Sequence, residues 1–154
     1  MSASPALQPP PANSPTRDGA PGNRHEAPVV FFDGVCGLCN HSVNMLLRLD
    51  KHARLQFAPL QGETAQAQLP PAQRDLNSLV LKDQAGVWRS SSAVVRILGH
   101  LGGIWLLPAS ALWLIPRPLR NWGYRLIAEH RYRWFGHTEA CRMPRPGEAA
   151  RFLP

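Results

Sequence analysis

Residues 29–40 read Val-Val-Phe-Phe-Asp-Gly-Val-Cys-Gly-Leu-Cys-Asn, and no other stretch limits the possible folds so much. An apolar run of strand character ends in Asp33-Gly34, and Cys36-x-x-Cys39 then heads a helical pattern. The first turn of a helix has N–H groups without intrahelical partners and carries the positive end of the helix dipole. A thiol placed there gives up its proton more readily, and the thiolate is the form that attacks disulfides. Two cysteines three positions apart also suit a short, reversible disulfide. The stretch reads as a redox dithiol on a strand–turn–helix.

The rest of the chain supplies a frame for that unit. Pro28 to Phe32 is expected as the first strand, buried on both faces, and Cys39 to about Leu49 as a helix with Val43, Leu46 and Leu47 on one side. Leu55 to Leu60 reads as a second strand that Pro59 brings towards its end. Gly62 to Gln68 is weakly helical and stops at Pro70-Pro71. Ser78 to Lys82 is a third strand, and the Asp83–Gly86 turn returns it into a fourth, Val87 to Arg89. Ser91 or Ser92 is expected to cap a helix bearing Val94, Val95, Ile97, Leu98 and Leu101, closed by Gly102-Gly103. The order β-α-β-α-β-β-α is that of an α/β thioredoxin-like (glutaredoxin-like) core, and the Cys-x-x-Cys after the first strand falls where such a core carries its redox pair.

Beyond Gly103 lies a C-terminal helical extension. Residues 104–116 carry no charge, yet the run is short of the ~20 apolar residues of a membrane span. They read as a buried or groove-lining helical hairpin, with a membrane-surface or protein-contacting face as the other option. From Pro118 to about Trp134 an amphipathic helix carries Leu119, Trp122, Leu126 and Ile127 on one side. The domain reading is a disordered Pro-rich tail over 1–27, the Cys-x-x-Cys core over 28–103, its helical extension over 104–140 and a tail over 141–154. Residues 1–27 are rich in Pro, Ala, Ser and Asn, and such a composition buries too little to offset its ordering entropy.

The formal charge is +7, with the excess mostly arginine in the last third. Aromatic residues interleave with those arginines at helical rather than sheet spacing, so the pattern does not favour a nucleic-acid partner. Three cysteines and no signal-peptide pattern point to a reducing cytoplasm rather than a secreted disulfide scaffold.

Asp33-x-x-Cys36-x-x-Cys39 resembles the signature of the DCC family of thiol–disulfide oxidoreductases. The likeness extends through Phe57-Ala58-Pro59-Leu60-Gln61, the Ser90-to-Leu101 helix, Ile115-Pro116-Arg117-Pro118-Leu119-Arg120 and Arg131-Tyr132-Arg133-Trp134-Phe135-Gly136. It covers roughly residues 28–145. The resemblance implies a thioredoxin-like fold and dithiol–disulfide exchange with a disulfide-containing protein or a low-molecular-weight thiol, without a cofactor.

Within this frame Cys36, nearest the turn, is expected to be the exposed nucleophile and Cys39, one turn in, the resolving thiol. Asp33 admits two readings: a proton carrier for Cys39, or a turn former that accepts loop N–H groups. Thioredoxins set a cis-proline before the third strand, facing the dithiol, whereas this chain has Asp75-Leu76-Asn77-Ser78 there. The competing class is a non-enzymatic metal-binding or partner-binding module, with Cys36, Cys39, His137 and Cys141 as zinc or iron ligands. A phosphatase reading of Phe31-Phe32-Asp33-Gly34 fails because Val35 stands where a second aspartate is required. His41 and His52 read as surface histidines, and Ser90-Ser91-Ser92 as a capping cluster.

Overall fold

Strand β1 (Val29–Phe32) lies inside a four-stranded sheet. Helix α1 (Gly37–Leu49) carries the chain over to β2 (Gln56–Pro59), which pairs with β1 in parallel. After α2 (Glu63–Gln68), strand β3 (Val80–Asp83) pairs antiparallel with the other side of β1 and, through a tight turn, with β4 (Gly86–Arg89). The order β2-β1-β3-β4, followed by α3 (Ser90–Leu101), is the expected thioredoxin-like core. Two helices extend it, α4 (Leu106–Leu114) and α5 (Arg117–Phe135). The computed structural model describes residues 27–76, 78–137 and 144–154; the Pro-rich segment 1–26 and Cys141 lie outside them.

Side chains alternate across a strand, and β1 uses both faces. Val30 and Phe32 join Val43 and Leu46 of α1, Phe57, Leu81 and Ile97 in one core cluster. Val29 and Phe31 pack on the opposite face with Ala58, Ala65, Leu69 and Val80. All four residues of β1 are buried, so its last residue delivers Asp33 to a fixed, dry position.

Three expectations change. Residues 144–154 are docked rather than a loose tail. Leu153 N–H donates to the Phe57 carbonyl at 2.8 Å and Thr64 N–H to that of Pro154 at 2.8 Å. The Phe152 ring packs edge-on to Phe32, and the Arg151 guanidinium pairs with buried Asp50. The serines do not cap α3, whose N-cap is Arg89. Ser91 instead contacts Asn121 and accepts from Arg120 Nε at 2.9 Å, while Ser92 accepts from Arg120 Nη2 at 3.3 Å. Their hydroxyls fasten α5 to α3.

The third change is the orientation of the extension. Helix α5 turns its polar side inward. Arg120 and Asn121 meet α3, Tyr124 Oη accepts the Leu79 N–H at 2.8 Å, and Arg131 is buried. Leu119, Trp122, Leu126 and Ile127 therefore face outward and are exposed. Segment 104–116 forms a 3-10 turn and α4 but buries only Ala109 within the helix. The expected buried hairpin is a helix lying on α3 with its apolar side open.

Candidate active site

Cys36 is the N-cap of α1, and its Sγ accepts the Cys39 N–H at 3.5 Å. The helix start thus turns a backbone donor onto one sulfur of the pair, as the strand–turn–helix pattern predicts. Both cysteines are unbridged thiols. Their exposures are the reverse of the expectation: Cys36 is fully buried, and Cys39 is the partly accessible sulfur. The cause lies about a hundred residues further on, where α5 ends.

Residues 135–137 cross the first turn of α1. Cys36 and His137 form an isolated antiparallel bridge, and Gly37 N–H donates to the Gly136 carbonyl at 3.3 Å. A Cβ at position 37 would stand 2.3 Å from the Phe135 carbonyl oxygen, so only glycine admits this approach. Gly136 takes φ +69° to leave the helix, again a glycine conformation.

Asp33 sits below the pair, 1% exposed, with each of its oxygens engaged. Oδ1 accepts the Val35 N–H at 3.1 Å and Gln61 Nε2 at 2.9 Å. Oδ2 accepts the Tyr132 hydroxyl and Arg131 Nη2, the latter at 3.5 Å. The turn-forming role is thus present: Oδ1 closes the turn onto the N–H two residues ahead. Gln61 Oε1 also takes the Gly34 N–H at 3.3 Å, and Asn40 Nδ2 donates to the Gly34 carbonyl at 3.0 Å. Residue 61 therefore clamps both halves of Asp33-Gly34.

Arg131 joins Asp33 to the dithiol. Its Nη1 approaches Cys39 Sγ at 3.8 Å, and its Nη2 reaches Asp33, the Tyr132 oxygen at 2.8 Å and the Leu76 carbonyl. Leu76 belongs to the stretch that stands where thioredoxins carry a cis-proline. No cis peptide occurs among the described residues; a guanidinium reaches that loop instead.

The surroundings of Cys39 resist its ionisation. Burial, then the hydrogen bond and charge of Cys36, push the Cys39 thiol up to about 12, while Arg131 opposes them. Burial and the bond to Asp33 push Tyr132 up to about 12, so the phenol stays protonated and donates.

Of the expected site residues, Asp33, Cys36 and Cys39 come together. The His137 backbone joins them, but its ring stacks on Tyr132, 4.0 Å between centroids. Cys141, the fourth residue of the metal reading, lies outside the described residues. Among the described residues no group of three or more His, Cys, Asp or Glu converges as a metal site. Reasoning from sequence missed Gln61, Arg131 and Tyr132 as site residues. Arg131 and Tyr132 sit in a helix read by its apolar side, and the available signal was that its other side is polar at a helical interval.

A dithiol at a strand-to-helix turn, on a thioredoxin-like sheet, defines the class of thiol–disulfide exchange folds. The chain belongs to the DCC1-like thiol-disulfide oxidoreductase family, whose model matches residues 30–137. It is 37% identical over 130 residues to the uncharacterized protein YuxK of Bacillus subtilis (strain 168), covering 82% of this chain and 93% of that one. It is also 30% identical over 119 residues to a chloroplastic DCC family protein of Arabidopsis thaliana, covering 75% and 69%. No solved structure matches the chain.

Proposed function

We propose that this protein exchanges dithiols with disulfides through Cys36 and Cys39. The observation that carries the reading is the placement of the two thiols at the start of α1. Cys36 is the N-cap and its Sγ receives a helix N–H, and Cys39 follows one turn on. The family description, thiol-disulfide oxidoreductase, supports the same chemistry.

In the forward direction the Cys36 thiolate attacks a substrate disulfide. One substrate sulfur leaves as a thiolate and takes a proton, and the other remains joined to Cys36. Cys39 then loses its proton and attacks Cys36 Sγ, which releases the second substrate thiol and leaves the Cys36–Cys39 disulfide. The substrate gains two electrons and the protein loses two. Arg131, 3.8 Å from Cys39 Sγ, stabilises the charge that forms there in the second step. Asp33 holds Arg131 and Tyr132 in position, and it is linked to Cys39 through that guanidinium. Because Cys36 is buried under residues 135–137, that segment lifts from α1 when substrate enters.

The substrate class is a protein disulfide or a low-molecular-weight one, and the compartment we assign is the reducing cytoplasm. The test is exchange with a small disulfide, read by mass after acid quench. Cys36→Ser abolishes exchange, and Cys39→Ser accumulates the mixed disulfide on Cys36. Full activity in Cys36→Ser overturns the proposal. Equilibration against glutathione buffers then gives direction: a potential near or below about −220 mV marks a reductase.

A further inference from the structure

Helix α5 is fastened to the core by its polar side. Arg120, Asn121, Tyr124 and Arg131 all bond inward, so no rotation buries the apolar side without breaking those contacts. Leu119, Trp122 and Leu126, at i, i+3 and i+7, form a stripe along one outer face. The open side of α4 adds Leu107, Trp113 and Leu114, which are 72%, 74% and 79% exposed. The two helices pack on α3 and are tied together by Arg120 Nη1, which donates to the Leu112 carbonyl at 3.1 Å. Ile115, between the two helices, is exposed as well. An apolar face of this extent is unusual on a protein that works alone in water.

We infer that this face lies on an anionic lipid surface. Three observations choose this occupant. Residues 84–128 hold no aspartate or glutamate, Arg117 and Arg125 stand exposed on α5, and the first acid after that run is exposed Glu129, one turn beyond Arg125. Basic side chains around an apolar, tryptophan-bearing face are the pattern of helices that lie in the headgroup region, and Trp113 and Trp122 are suited to that depth. A second copy pairing through the same face would gather Arg117 and Arg125 of both chains with one Glu129 from each, an excess of like charge that is unfavourable. Nor does the N-terminal segment offer a cover, since residues 1–26 hold only Met1 and Leu7 as large apolar side chains. No helix among the described residues is long and apolar enough to cross a membrane, so the contact is one of lying on the surface.

The inference is independent of the redox chemistry, and its test reads binding alone. The full chain is floated with phosphatidylcholine vesicles, with and without phosphatidylglycerol, and tryptophan emission is recorded. The protein is expected to float with the phosphatidylglycerol vesicles, with a blue-shifted emission and weaker binding at high salt. Leu114→Asp/Trp122→Asp, at exposed positions and with an unchanged unfolding midpoint, should bind at least about tenfold more weakly. Arg117→Glu/Arg125→Glu should lose most of the preference for the anionic vesicles. Failure of the wild-type chain to float with either vesicle overturns the inference. So does a concentration-dependent dimer that Leu114→Asp dissociates, because the face would then belong to a second copy.

Discussion

Arg131 Nη1 lies 3.8 Å from Cys39 Sγ, across 92 positions of sequence. The same guanidinium holds Asp33 and the Leu76 carbonyl, so one side chain connects the dithiol, the carboxylate beneath it and the loop before β3. Its side chain is almost wholly buried, and a buried charge is tolerable only when its donors are used. Asp33, the Leu76 carbonyl and the Tyr132 oxygen take Nη2 and Cys39 Sγ faces Nη1, while Nε is buried without a partner among the described residues.

That relationship makes Arg131 a positioning residue whose loss has two separable effects. Arg131→Met leaves the Leu76 carbonyl and Asp33 short of a donor and should cost about 3 kcal/mol of stability, read as a shift in urea midpoint. Arg131→Lys keeps the charge without the fork and should cost less. In both variants the mixed disulfide on Cys36 should persist roughly tenfold longer, while its rate of formation changes little. Equal slowing of both steps would make Arg131 a structural residue only.

The Cys39 thiol carries a pH dependence with a definite sign. The fold raises it from 9.0 to about 12, so between those values the unfolded chain binds fewer protons than the native one. The contribution is complete below pH 9 and is lost as pH climbs towards 12, at up to about 1.4 kcal/mol per pH unit. Tyr132 adds a slope of the same sign above pH 10, its ordinary value. Urea midpoints of the wild type should therefore fall more steeply above pH 9 than those of Cys39→Ser. Parallel curves would contradict the assignment.

Gly37 is the contact point between the dithiol helix and its cover. Gly37→Ala sets a Cβ against the Phe135 carbonyl and should push residues 135–137 off α1, costing about 1–3 kcal/mol. Alkylation of Cys36 by iodoacetamide should then become faster than in the wild type. An unchanged alkylation rate in a folded Gly37→Ala protein would mean that this segment does not limit access to Cys36.

Tyr124 tests how α5 is attached. Its hydroxyl is the acceptor for the Leu79 N–H at the entrance to β3, and Tyr124→Phe removes that acceptor at nearly constant volume. The expected cost is about 1–3 kcal/mol, measured by thermal or urea unfolding. A neutral substitution would place the Leu79 N–H within reach of water.

Phe152 tests the docked C-terminus. Its ring lies against Phe32 and Phe57, with centroids 6.4 and 5.7 Å apart. Phe152→Ala should destabilise by about 2–4 kcal/mol. A loss below about 0.5 kcal/mol, the scale of ordinary surface changes, would return residues 144–154 to the status of a tail.

What was legible in the sequence follows one rule. Local signals sufficed wherever short-range chemistry chooses the structure. Val29–Phe32, the Asp33-Gly34 turn and the Cys36 N-cap lie within eight residues. The succession of strands and helices along the core then followed from the apolar runs and the Asp83–Gly86 turn. The sequence by itself therefore determined the dithiol, its helix and the core that holds them. Tertiary structure decided the rest, because periodicity shows that a helix has two sides but not which side meets the core. On α5 the polar side went inward, since Ser91, Ser92, the Leu79 N–H and Asp33 offered it partners that water would otherwise satisfy. That choice buried Arg131, brought Tyr132 to Asp33, drew His137 over Cys36 and left the tryptophans facing outward.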